Sequence, residues 1–284
     1  MSTSTSAPVW LITGCSRGLG RALAIRVLER GHRLVATARQ PASLDDLVAL
    51  GAGRCRALAL DVANSGQVSA VVAQAAAVFG RLDVVVNNAG YGLFGALEEL
   101  EDGQIARNFE TNFFGAVRVI RAALPILRAQ RHGHFITISA AAAIANYAGF
   151  SIYGATKWAL EGVSEALAAE IRPLGLRVTI VQPGPFRTDF AARSIEDGVA
   201  RIADYEASSG KFRRLLETMS GKQPGDPAKA ADAIVAVAEA ENPPLRLVLG
   251  KYAQDKARRK IGSAARELET WGAAGAATDF DAAL

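Results

Sequence analysis

Short apolar runs alternate along this chain with stretches whose apolar residues recur at helical spacing. Runs at 9–12, 33–38, 56–60, 82–86, 135–139, 177–181 and 245–249 read as buried strands. Helical patterns fill the intervals: from the first glycines through Leu28, then over 67–79, most of 97–127, 153–172 and 227–239. Strand and helix in regular alternation predict an α/β fold, a doubly wound parallel sheet of about seven strands of Rossmann type. No composition break or linker divides the first 190 residues, and there is no internal repeat. A single domain over 9–284 is therefore expected, after a flexible N-terminus at 1–8. Residues 189–225 lose strong periodicity while keeping Phe190, Ile202, Tyr205, Phe212, Leu215, Leu216 and Met219. Such a segment reads either as a substrate lid or as two ordinary packed helices. Over 250–284 the pattern gives a basic amphipathic helix, 251–268, read as a solvated face, and an Ala-rich, loosely held tail from 272.

Composition narrows this only a little. Half of the 284 residues are apolar, enough for a substantial core, and the net charge of +4 is carried by scattered basic residues. Neither nucleic acid nor a membrane is called for. Cys15 and Cys55 lie far apart with no metal-type spacing, and residues 1–8 lack the features of a signal peptide. A cytoplasmic location is the expectation.

The candidate chemistry clusters at the carboxyl ends of the expected strands, where open α/β sheets bind ligands. The first strand runs into Gly14, Ser16, Arg17, Gly18, Leu19 and Gly20, and then into a helix. Glycines let the backbone approach a dinucleotide pyrophosphate, and the helix start supplies free N–H groups. The spacing is G-x-x-x-G-x-G. The second strand ends in Ala38-Arg39 and carries no acid there. A carboxylate at that place commonly binds a ribose 2′-hydroxyl, whereas arginine accommodates a 2′-phosphate. Arg17 and Arg39 thus argue for NADPH over NADH, against the blander reading of two solvated surface cations. Asp61 and Val62 follow the third strand, where an acid could accept from the adenine amino group. Asn88, Ala89 and Gly90 follow the fourth and would let the backbone come close to a ribose. After the sixth come Pro183, Gly184, Phe186 and Thr188, in reach of a nicotinamide. His132 and His134 precede the fifth strand, the wrong end for a ligand, and no metal is expected.

Tyr153 and Lys157 stand four apart on a helical pattern and so share a face. A nearby ammonium favours phenolate, so the pair could serve as general acid/base for a carbonyl/alcohol couple. Asn112, in an otherwise apolar helical run, is expected to hold a water or a backbone group, or to be a locally satisfied core amide.

Together these stretches resemble the compact branch of the short-chain dehydrogenase/reductase family. The matching residues are Thr13 to Gly20, Asp61-Val62, Asn87 to Gly90, Asn112, Tyr153-x-x-x-Lys157 and Pro183-Gly184 with Thr188, in family order, over about residues 8–190. The resemblance implies that Tyr153 exchanges a proton with the substrate oxygen. It implies that Lys157 tunes that phenol and holds the nicotinamide ribose, and that Asn112 anchors a water in a relay through Lys157. It also implies a homo-oligomer, dimer or tetramer, with the helices around 98–127 and 153–172 as candidate interfaces.

One family residue is missing. The serine that usually lies 13 positions before the tyrosine is Ala140 here, in Ile138-Ser139-Ala140-Ala141. Adjacent side chains on a strand point to opposite faces, so Ser139 should point away. Three readings stand: a serine-to-alanine variant with weakened activity, which we favour; Ser139 substituting through a local bulge; or Ser151 reaching in. The leading expectation is NADPH-dependent reduction of a fairly bulky, apolar ketone or aldehyde, with Ala140, Leu93, Phe94, Tyr147, Phe150 and Phe190 around the substrate. The alternative is an NADP-binding sensor or scaffold without useful turnover. A nucleotide-sugar epimerase or dehydratase fits less well, since that longer branch has a different glycine spacing.

Overall fold

In a computed structural model the chain is described over residues 7–280. Most of the expected flexible N-terminus, 1–6, and the end of the tail, 281–284, lie outside the described residues. Nine strands are described: β1 (Val9–Ile12), β2 (Arg33–Ala38), β3 (Cys55–Ala59), β4 (Val84–Asn87), β5 (Gly92–Phe94), β6 (Gly133–Ile138), β7 (Leu176–Pro183), β8 (Ile195–Asp197) and β9 (Arg246–Leu249). Seven form one sheet in the order β3-β2-β1-β4-β6-β7-β9, every pair parallel. The order reverses at β1, and the crevice beyond that switch point is where such sheets hold ligands.

The central strands are apolar on both faces because helices cover both. On one side, helices Gly18–Glu29 and Pro227–Glu239 pack Leu23, Val27, Leu28, Ile234 and Val235 onto Trp10, Ile12 and Val86. On the other, helices Ser65–Phe79, Gly115–Gln130 and Ser151–Ile171 pack Val72, Val119, Leu127 and Ile171 onto Leu11, Val85 and Phe135. Buried apolar area of this kind is the main stabilising term.

The structure departs from the sequence expectations in four places. A short helix, Asp45–Gly51, lies in a stretch to which the sequence pattern assigned no element. The helical run of 97–127 is broken into Asp102–Phe109, a π-helical turn Glu110–Phe114, and Gly115–Gln130. The 189–225 segment contains a strand, β8, that pairs in parallel with β5 outside the main sheet, followed by helix Lys211–Met219. The C-terminal helix does not stop at Leu268 but runs Lys251–Ala276, because nothing between them breaks it beyond two isolated glycines. Among the described residues, no helix is long and apolar enough to cross a membrane.

Candidate active site

The carboxyl ends of β1, β2, β4, β6 and β7 open onto one cleft of about 870 Å³. The glycine loop forms its floor. Gly14 has φ +74°, a conformation side chains resist, and its neighbour Asn88 donates to Thr13 O at 2.9 Å and Gly14 O at 3.0 Å. Gly20 does not face the cleft. A Cβ there would stand 2.2 Å from Asn88 Nδ2, so glycine is required for the loop to close on Asn88. The helix that follows has no capping side chain and no acid in its first turn, which leaves its positive end free for an anion.

Ser16, Arg17, Gly18, Leu19, Arg39, Asp61, Val62, Asn88, Ala89 and Gly90 all line the cleft, as do Pro183, Gly184, Phe186 and Thr188. Arg17 and Arg39 are exposed, and neither is paired with a carboxylate among the described residues. Asp61 Oδ1 accepts from Ala63 N at 3.0 Å, which braces the turn after β3. These features fit a dinucleotide: an unopposed helix start and a glycine floor for the pyrophosphate, and at the β1 and β2 ends two cations with no carboxylate partner among the described residues, Arg17 donating only to Arg193 O.

Tyr153 and Lys157 are both buried on the cleft side of helix Ser151–Ile171. Lys157 Nζ donates to Ile138 O at 2.9 Å and lies 6.0 Å from the centre of the Tyr153 ring. Burial pushes the Lys157 ammonium down to about 8, and the Glu161 carboxylate works against that fall. The Tyr153 phenol goes the other way from the sequence expectation. It lies against Phe150 and Phe190, with ring centres 5.1 and 5.8 Å away, and burial pushes its pKa well above the ordinary value. Desolvation, which disfavours phenolate, outweighs the lysine at this distance.

Asn112 sits in the π-helical turn and does not line the cleft. Its Oδ1 accepts from Tyr91 N at 2.9 Å, and its Nδ2 donates to Tyr91 O at 2.8 Å and Thr156 Oγ1 at 3.2 Å. Its side chain thus holds the backbone of Tyr91, and it is at the same time a locally satisfied buried amide. Gly90 lies between it and the lysine: a Cβ on Gly90 would stand 2.8 Å from Asn112 Oδ1 and 3.6 Å from Lys157 Nζ. Glycine keeps that gap open.

At the end of β6 the alternation holds. Ala140 is in extended conformation, φ −161° and ψ 159°, and faces the cleft beside Tyr153. Ser139 also borders the cleft, but its hydroxyl is turned to Glu161 and donates to Oε1 at 2.5 Å. Gln182 Nε2 donates to both Glu161 oxygens at 2.8 Å, and Arg246 Nε lies 3.6 Å from Oε2. There is no bulge to bring Ser139 round. Ser151 is not on the cleft wall, and its Oγ has no partner among the described residues.

Tyr147 and Phe190 line the apolar end of the cleft with Phe150, Phe212, Leu215, Leu216 and Met219. Phe94, expected there, lies behind this wall, 2 % exposed and packed on Phe150 at 5.4 Å. Leu93 is fully buried. Sequence reasoning missed Tyr252 and Gln223, which also line the cleft, and the Glu161 network under Lys157. Tyr252 and Gln223 carry no local signal. Glu161 does: it is four residues after Lys157, on the same buried helix face.

The protein-family model described as short chain dehydrogenase matches residues 8–198. A relative named 3-ketodihydrosphingosine reductase, from Bacteroides thetaiotaomicron, is 37% identical over 86% of this chain and 88% of its own length. A crystal structure of a short-chain dehydrogenase from Streptomyces avermitilis is 42% identical, covers 98% of this chain and 100% of its own, and superposes with a TM-score of 0.91. A metagenomic short-chain oxidoreductase in complex with NADP is 28% identical over 87% of this chain and 98% of its own, with a TM-score of 0.68.

Proposed function

This chain belongs to the short-chain dehydrogenase family of oxidoreductases, and from that premise we propose that it catalyses NADPH-dependent reduction of an apolar ketone or aldehyde to the alcohol. The observation that carries the reading is the shared cleft: Tyr153 and Lys157 face the same space as the glycine loop, Arg17 and Arg39.

In this reading Gly14, Ser16, Gly18 and the uncapped helix start hold the pyrophosphate, Arg17 and Arg39 hold a 2′-phosphate, and Asp61 and Val62 bound the adenine. The loop from Pro183 to Thr188 orients the nicotinamide. When bound, NADPH supplies hydride to the carbonyl carbon. Tyr153 Oη gives a proton to the carbonyl oxygen, and burial favours this direction, because a phenol held above its ordinary pKa enters the reaction protonated. Lys157 holds the ribose hydroxyls and offsets negative charge left on Tyr153 Oη. A water in the gap kept by Gly90, between Asn112 Oδ1 and Lys157 Nζ, returns the proton. Ala140 offers no donor to the developing oxyanion, so turnover is weakened rather than abolished.

The aromatic wall of Tyr147, Phe150, Phe190 and Phe212 favours a bulky apolar substituent on the carbonyl, and 189–225 acts as the lid over it. The relative named for a keto substrate and the NADP-bound neighbour accord with this reading. A homo-oligomer is favoured by two exposed aromatics on the helices at issue, Trp158 and, in the adjoining turn, Phe114. The test is turnover of NADPH with a panel of aryl, alkyl and steroid-like ketones. Activity confined to small polar carbonyls overturns the substrate class. NADPH binding without turnover on any of them favours the sensor reading.

A further inference from the structure

The C-terminal helix Lys251–Ala276 leaves the domain part-way along its length. Its first turns are seated: Ala253 is buried, Tyr252 lines the cleft, and Lys256 Nζ lies 3.2 Å from the centre of the Tyr147 ring. From Arg258 to the end of the helix no residue is buried. Yet Ile261, Leu268 and Trp271 are 69%, 73% and 72% exposed there. They are not scattered. Ala257, Ile261, Ala264, Leu268, Trp271 and Gly275 follow one another at alternating spacings of four and three, which places them on one face. That is the spacing of a seam between two helices, and a helix meant only for water has no use for it.

We infer that this stripe is the seam of an antiparallel helix pair formed with a second copy of this chain. Size and charge both select that occupant. With the two-fold axis between Gly262 and Ser263, Ile261 of one copy faces Ala264 of the other, and Leu268 faces Ala257. Large residues then meet small ones at these two pairs, and Trp271 faces Gln254. The seam is flanked by Lys260 and Glu267, and in the same register Lys260 of one copy stands opposite Glu267 of the other, twice. Neither group is committed elsewhere: Lys260 has no carboxylate partner among the described residues, and Glu267 accepts only from Ser263 of its own helix. In a parallel pair Lys260 would face Ala265 and Glu267 would face Gly272, and no charge pair forms. An anionic lipid surface would attract Arg258 and Lys260 but repel Glu267 and Glu269, and an Ala-rich stripe offers little area to insert. The seam from Ala257 to Trp271 is about 21 Å long, so the pairing should dissociate on dilution.

The test is the mass of the full chain by sedimentation and light scattering over a concentration series. Leu268→Asp, at an exposed position remote from the cleft, is expected to halve the mass seen at high concentration. Lys260→Glu alone is expected to weaken association about tenfold, since it sets two like-charge pairs against each other. Adding Glu267→Lys to the same chain is expected to restore it, which a non-specific structural loss would not allow. A mass unmoved by Leu268→Asp overturns the inference, as does a double charge reversal that fails to restore. Flotation with anionic vesicles that Leu268→Asp abolishes, at unchanged mass, assigns the stripe to lipid and also overturns it.

Discussion

Ser139, just past the end of β6, donates its hydroxyl hydrogen to Glu161 at 2.5 Å. The donor that this strand end carries is thereby held below Lys157 and kept from the substrate oxygen. The next residue, Ala140, has the right orientation and no hydroxyl. From this pair follows the first prediction. Ala140→Ser places a donor beside Tyr153 without disturbing Ser139. The catalytic constant should rise at least tens-fold, toward the 10²–10³ that one oxyanion donor typically contributes. Steady-state rates of both forms check it; equal rates mean another donor already fills the place. Ser139→Ala, by contrast, should act only through Glu161.

The Lys157 ammonium, held down to about 8 by burial, gives a pH signature. The cation is the working form, so kcat/KM should fall as pH rises through about 8. Glu161 is the group that opposes this depression, so Glu161→Gln should move the alkaline limb to lower pH. Lys157→Arg keeps the charge and should remove the limb, at reduced rate. For stability the sign is the reverse. The folded-state pKa lies below the ordinary 10.5, so the cost of the buried cation is present below about 8 and is relieved as pH rises toward 10.5. Thermal melts of Lys157→Met against the natural chain should therefore differ most at neutral pH and converge in alkali. A limb that Glu161→Gln leaves in place speaks against the coupling.

Much of this site was legible in the sequence, for a physical reason. Strand β1, the glycine loop and the helix after it are contiguous, so their chemistry is written in one stretch of chain. The placement of Ser139 also followed from strand alternation alone. The strand within 189–225 was not legible, because β8 is only three residues long and is stabilised by pairing with β5, more than a hundred positions away. Phe94 looked like a pocket residue because an aromatic side chain reads alike in sequence whether it lines a wall or backs one. The rise of the Tyr153 pKa was missed because burial is a property of the packed site and not of the Tyr-x-x-x-Lys spacing.

Arg39 has no acidic partner among the described residues and stands just past the end of β2. Arg39→Asp should weaken NADPH by roughly 10- to 100-fold, the worth of one charge-assisted contact, and leave NADH little changed or improved. Titration of both cofactors by fluorescence decides it. Equal losses for the two would remove Arg39 from the 2′-phosphate site.

Gly90 guards the gap between Asn112 Oδ1 and Lys157 Nζ. Gly90→Ala should lower the catalytic constant by about tenfold or more, within the range general acid–base catalysis supplies, while NADPH affinity changes less. Parallel measurement of kcat and of the NADPH dissociation constant separates the two effects. Full activity in Gly90→Ala means that no proton passes through this gap.

The central claim is that Tyr153 delivers the proton in an NADPH-dependent carbonyl reduction. Its most direct test is NADPH consumption on the ketone panel with Tyr153→Phe built into the Ala140→Ser chain, where the starting rate is highest. The account predicts that turnover falls by about 10² or more, as for loss of a general acid, while NADPH binds as before. Turnover that persists without the phenol would contradict it and place the proton donor elsewhere in the cleft.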